Sequence, residues 1–172
     1  MFVAAMAIAA WAFAIDRLTL RFGMDCLLGW TLLALAWIDW QHMRLPDPLT
    51  LPLLLLGLAA AWLDASTTVA SSVIGAVAGY AALWSIEHGY RLVRGHEGLG
   101  RGDAKLFAAG GAWLGWQALP WTLLLASIAG IGLVLLQRAR GAKLTRETAL
   151  PFGPALAAAI WLVRLYGVPD PG

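Results

Sequence analysis

Leu32-Leu33-Ala34-Leu35-Ala36-Trp37-Ile38-Asp39 decides how the chain must be read, because an unbroken apolar run ends on a carboxylate. A water-exposed amphipathic helix would place polar residues every three or four positions, and this run has none before Asp39. Similar blocks recur along all 172 residues, which are 60% hydrophobic and only 13% charged, with a mean hydropathy of +0.73. Soluble domains carry roughly 25% charged residues, so a water-soluble globule does not fit and lipid is the expected solvent.

Apolar blocks between charged or Pro/Gly-rich breaks lie at 2–15, 24–40, 49–63, 68–90, 104–118, 121–136 and 153–168. The expected fold is all-α, a polytopic membrane helix bundle of about seven transmembrane helices, forming one membrane-embedded domain over residues 1–172. Several blocks are shorter than the ~20 residues a spanning helix needs, so their ends must extend into polar flanks or the membrane must thin. Ala12-Phe13-Ala14 looks like a cleavage site, but no basic residue precedes it, so the first block reads as a retained helix.

Lys and Arg set the orientation. Arg91, Arg94, Arg101 and Lys105 crowd one connection and Arg138, Arg140, Lys143 and Arg146 another, so both are expected to be cytoplasmic. The connection with Asp64 and the one around Pro120 carry no positive charge and suit the opposite side. Alternation puts the N-terminus inside, the C-terminus outside and segment 40–48 in the cytoplasm. Segment 16–25 fits least well, because Arg17 and Arg21 fall outside, beside Asp16 and Asp25. Gly75 and Gly79, Gly111 and Gly115, and Ala126 and Gly130 have the four-residue spacing that lets membrane helices approach closely.

The net charge of +2 is spent on topology, and no nucleic-acid signature appears. Cys26 is the only cysteine, which excludes an internal disulfide and a multi-cysteine zinc site. His42 and His88 are isolated, with no cluster of carboxylate or cysteine ligands beside them, so neither a metal nor another cofactor is expected. The ten tryptophans suit interfacial belts and helix packing.

Two carboxylates stand out. Asp39 lies at the end of its apolar block beside Trp40, and an ionisable residue there is a functional candidate, although a helix cap would look the same. Asp103 closes Gly98-Leu99-Gly100-Arg101-Gly102-Asp103, whose glycines allow close approach of another backbone. An N-cap explains Asp103 alone equally well, and a phosphate-binding loop would need a Lys-Ser or Lys-Thr that does not follow. Alternation puts Asp39 and Asp103 at one face, where two adjacent carboxyls would share a proton and could perform acid–base hydrolysis.

Asp47, between Pro46 and Pro48, reads first as a cap of the third helix. Lys105 reads as a charge partner near the pair or as a topological anchor, His96 and Glu97 as a solvated loop or a contact for a basic peptide. Pro151-Phe152-Gly153-Pro154 sets the start of the last helix and brings backbone near the site.

These residues resemble the bacterial type IV prepilin peptidases, GxGD-type membrane aspartyl proteases. Three blocks carry the likeness: Ile38-Asp39-Trp40 through Leu45-Pro46-Asp47-Pro48-Leu49-Thr50; Glu97-Gly98-Leu99-Gly100-Arg101-Gly102-Asp103-Ala104-Lys105-Leu106 with Gly111-Ala112-Trp113-Leu114-Gly115-Trp116; and Pro151-Phe152-Gly153-Pro154. The resemblance implies that Asp39 and Asp103 are the catalytic pair, with Gly98, Gly100, Gly102, Asp47, Lys105, Pro151 and Gly153 binding substrate or shaping the site. It implies no cofactor, a multi-pass location in the inner membrane, and cleavage of basic leaders from prepilins or pseudopilins at the cytoplasmic face. A homodimer stays open. Full-length members carry an N-terminal domain with two cysteine pairs, so the chain resembles a short, peptidase-only member or a truncated piece, without methyltransferase activity.

The rival expectation is a small transporter or channel subunit in which Asp39 and Asp103 relay protons or ions. The glycine loop and its Leu-Pro-Asp companion have no part in a relay. A structural subunit of a secretion machine with a degenerate site is a third, against which both aspartates count.

Overall fold

The computed structural model describes residues 2–16, 20–63, 67–94, 100–141 and 151–168. Within them the chain forms seven α-helices and no strand: α1 (Phe2–Asp16), α2 (Leu20–His42), α3 (Asp47–Leu63), α4 (Val69–Arg94), α5 (Arg101–Leu114), α6 (Leu119–Ala139) and α7 (Gly153–Tyr166). The all-α membrane bundle expected from the sequence is what forms. Three helical stretches, Arg21–His42, Val69–Val93 and Trp116–Ala139, are long and apolar enough to cross a membrane. Val3–Phe13, Asp47–Leu63 and Gly153–Tyr166 are shorter apolar helices. The outward face of α6 exposes Leu124, Leu125, Ile128, Ile131 and Leu135, as lipid rather than water would favour.

Helix α5 is the centre of the bundle and is buried from Asp103 to Trp113 apart from Lys105. It packs antiparallel to α4 through small residues. A Cβ built on Gly111 would lie 2.2 Å from the Gly75 carbonyl oxygen, and one on Gly79 2.9 Å from the Phe107 carbonyl oxygen. The helices therefore touch backbone to backbone, and of the spaced pairs read from the sequence this one makes the closest contact. Gly130 of α6 faces the Phe152 ring and Ala126 is fully buried.

Helices α3 and α7 run parallel to α5. Trp113 donates its indole N–H to the Leu53 carbonyl at 2.9 Å, and Gly110 abuts Ile160. Helix α2 runs antiparallel to α7, with Gly29 against Trp161, and α1 lies antiparallel on α2, with Ile8 on Gly29 and the Trp30 indole donating to the Ala5 carbonyl. Asp39, Asp47, Asp103 and Gly153 thus share one end of the bundle. Beyond the level of α5's first turn α4 continues to Arg94, and beyond its contact with Phe152 α6 continues from Gly130 to Ala139.

Two boundaries differ from the sequence reading. The block 104–118 breaks at Gly115, whose φ of 82° lies in the left-handed region that glycine tolerates, before a short 3-10 turn at Trp116–Ala118. A Cβ there would also lie 2.6 Å from Ser71 Oγ. Helix α2 begins at Leu20, upstream of the expected 24, and takes Asp25 into the bundle, where it is fully buried. Arg164 of α7, also buried, donates from Nε to Asp25 Oδ1 at 2.7 Å, and its guanidinium lies 5.7 Å from the centre of the Trp113 ring. An opposite charge and an aromatic face make a carboxylate tolerable at that depth.

Gly111→Ala is expected to destabilise the bundle by about 1–3 kcal/mol, because backbone cannot yield to a new Cβ. Gly89→Ala, with nothing within 4 Å, should not. Thermal unfolding in detergent compares them. Arg164→Met should cost about 3–5 kcal/mol by taking the guanidinium away from buried Asp25, and Asp25→Leu added to it should recover most of that loss in the same measurement.

Candidate active site

Three chain segments meet at the end of the bundle that holds Asp39. The first is the end of α2 with its turn into α3. Asp39 lies one turn before the end of α2 and is buried, with 6% of its surface exposed. The helix closes with the Met43 N–H on the Asp39 carbonyl at 2.8 Å, and Met43 then takes φ 52°, uncommon for a residue with a side chain. That reversal starts a short strap of residues 43–46. Leu45 alone of the strap points inward and is buried, while Met43 and Arg44 are exposed. Pro46 then offers its carbonyl to the N–H groups of Leu49 and Thr50, opening α3.

The second segment is the entry to α5. Gly100 is extended at φ −70°, ψ 136° and caps the helix through the Asp103 N–H, which bonds its carbonyl at 3.0 Å. The Asp103 carboxyl folds back over Gly100, whose added Cβ would lie 3.4 Å from Oδ2. Asp103 is buried to the same degree as Asp39. An acid in the first turn suits the helix dipole. Gly102 is a notch: a Cβ on it would stand 2.7 Å from the Leu45 Cβ, so the strap fits only against glycine.

The third segment, residues 151–154, starts α7. Its first free amide, the Gly153 N–H, donates to Asp39 Oδ2 at 3.0 Å. A Cβ on Gly153 would lie 2.6 Å from that oxygen, so glycine is the residue that lets the carboxylate reach the helix start. Pro154 has no N–H, which leaves the Gly153 amide as the donor aimed at Asp39.

Asp103 lies close enough to Asp39 for its carboxyl to feel the Asp39 charge. Each is at a helix N-terminus, Asp103 at that of α5 and Asp39 at that of α7. Lys105 bonds the Asp47 carboxylate at 2.5 Å across the junction of α3 and α5. Of the residues singled out from the sequence, Gly100, Gly102, Asp47, Lys105 and Gly153 surround the pair. Pro151 is buried on the α6 side with Phe152 and Gly130, and Gly98, His96 and Glu97 lie outside the described residues. His88 stacks on Trp84 at 5.1 Å, away from the carboxylates' strap and notch. Among the described residues no three His, Cys, Asp or Glu side chains gather as a metal site.

Leu45 and the Asp25–Arg164 pair escaped the sequence reading. A lone leucine between Arg44 and Pro46 carries no periodic signal, whereas Arg164 inside an apolar block was a readable anomaly. An apolar groove formed by Leu33, Ala36, Trp37, Trp40 and Pro154 runs beside Asp39 between α2 and α7.

Gly102→Ala should push the Leu45 strap out of its notch and destabilise the protein by about 1–3 kcal/mol in thermal unfolding, whereas Gly23→Ala, with nothing within 4 Å, should leave it nearly unchanged.

The type IV leader peptidase family matches residues 26–135, a stretch that includes Asp39 and Asp103 but not Gly153. The prepilin leader peptidase/N-methyltransferase of Aeromonas hydrophila is 50% identical over 145 residues, covering 82% of this chain and 48% of that protein. The protein of the same description from Pseudomonas aeruginosa is 46% identical over 160 residues, covering 92% of this chain and 53% of that one. The one from Dichelobacter nodosus is 46% identical over 152 residues. The chain spans about half the length of these relatives. No solved structure matches it.

Proposed function

The chain belongs to the type IV leader peptidase family, and from that premise we propose that it is an aspartyl endopeptidase in which Asp39 and Asp103 act as one catalytic pair. Its substrates are type IV prepilins or pseudopilins, cut between a leader and an apolar segment at the cytoplasmic face of the inner membrane. Residues 1–172 act as a single multi-pass peptidase unit. Of the two activities in the relatives' name, this chain's residues support the peptidase.

The observation that carries the reading is the meeting of Asp39 and Asp103, far apart in sequence, within charge reach at one end of the bundle. Burial and a neighbouring carboxylate both oppose ionisation of a carboxyl, so in the proposed pair one member holds a proton that the other lacks. The charged member removes a proton from water as it attacks the peptide carbonyl. The protonated member donates toward the developing oxyanion, and the leaving nitrogen is protonated as the carbon–nitrogen bond breaks. The pair returns to its starting state after product release and titrates as a unit. The Gly153 N–H fixes the direction of the Asp39 carboxylate throughout, which lowers the entropy of reaching the attacking geometry.

Position and charge support the membrane side. Arg101 and Lys105 at the start of α5 and Arg138 at the end of α6 lie at the same end as the pair, in the pattern of cytoplasmic termini. The groove beside Asp39 is apolar and open along α2 and α7, which suits an apolar substrate segment lying alongside the bundle with its scissile bond at the carboxylates.

Detergent-purified protein incubated with a prepilin should release the leader. Asp39→Asn and Asp103→Asn should each lower kcat/KM by roughly 10²–10⁴-fold while thermal unfolding stays near that of the parent. Full cleavage by either variant would remove the pair from the mechanism.

A further inference from the structure

We propose that Asp47 and Lys105 form a positioning pair that, through the strap of residues 43–46, sets the separation of the Asp39 and Asp103 carboxyls. The inference rests on the dyad reading and deepens it. Neither residue touches the reacting atoms.

Lys105 stands in an unfavourable place for a cation. It sits in the first two turns of α5, where the positive end of the helix dipole disfavours a cation. Topology does not require it there, because Arg101 already supplies a positive charge at the same end. Stability does not explain it either. The ion pair is 31% and 52% exposed at its two side chains, and pairs of that exposure contribute only about 0–1 kcal/mol. What the pair has is geometry: it spans α3 and α5 with a single contact of 2.5 Å.

That contact closes a ring. From Asp39 the chain passes through the Met43 reversal, held by the Met43 N–H on the Asp39 carbonyl, to Leu45 in the Gly102 notch. It continues to Asp47, which crosses to Lys105. Asp103 lies between the two attachment points, with Gly102 one residue before it and Lys105 two residues after. The first turn of α5 is therefore gripped on both sides of Asp103 by a segment covalently continuous with Asp39. On the opposite side, among the described residues, the Gly153 amide holds Asp39. Releasing the Lys105 end leaves the Leu45 knob as the grip beside Asp103, the next α3–α5 tie being Trp113 on the Leu53 carbonyl two turns along, and a displacement of about 1 Å at a reacting group is enough to cost on the order of 100-fold in rate.

A positioning role differs from a substrate-binding role in which constant moves. Asp47→Asn and Lys105→Gln should each lower kcat by on the order of 10–100-fold with KM little changed, and thermal unfolding should shift by no more than a surface pair commands. The exchange Asp47→Lys with Lys105→Asp should restore most of kcat, and Lys105→Arg should retain most of it. Unchanged kcat in both single variants, a loss confined to KM, or an exchange that folds but restores nothing would each overturn the inference. Failure of the dyad reading shows separately, as cleavage by Asp39→Asn.

Discussion

The bundle depends on two glycine backbones lying against each other. In lipid the apolar faces of helices gain little by leaving their solvent, so association relies on packing, and packing is best where no side chain intervenes. At Gly75 and Gly111 even a methyl group would overlap carbonyl oxygen on both helices. This contact brings α4 against α5, and α5 in turn supports α3 through the Trp113 indole and α7 through Gly110. The position of Asp103 follows from that placement, since the carboxylate belongs to the first turn of the helix most enclosed by the others.

The position of Asp39 follows from a different device. Helices α2 and α7 are tied at both ends, by Asp25 with Arg164 at one and by Asp39 with the Gly153 amide at the other. The first is a buried ion pair, strong in what it costs to break and weak in what it adds over well-packed apolar residues. Its use is registry. With Arg164 fixed beneath Trp113, α7 cannot slide along α2, and Gly153 stays level with Asp39.

Much of this architecture was readable in advance. The apolar blocks gave the helices to within a few residues, the four-residue glycine spacing marked the α4–α5 contact, and charge alternation put Asp39 and Asp103 at one end. The misses share a physical cause. Hydropathy treats Asp25 as a boundary because it cannot see that Arg164, far away in sequence, will neutralise it. It treats 104–118 as continuous because Trp116 and Ala118 are apolar, while the break depends on the backbone freedom of Gly115 and the room left by Ser71. Leu45 was invisible for the same reason: its burial is created by the absence of a side chain at Gly102. Whether Asp47 and Lys105 shape chemistry or merely cap and anchor could not be read from either residue alone, and their contact across two helices turns it into a question of geometry.

Counting from the contact of Gly79 with Phe107, α4 projects about eleven residues past the level of Asp103, roughly 16 Å at 1.5 Å per residue, and α6 projects about nine past Gly130, roughly 13 Å. The basic ends of α4 and α6 therefore stand off the end of the bundle that holds the two carboxyls, carrying Arg91 and Arg138 beyond the last turn of α2.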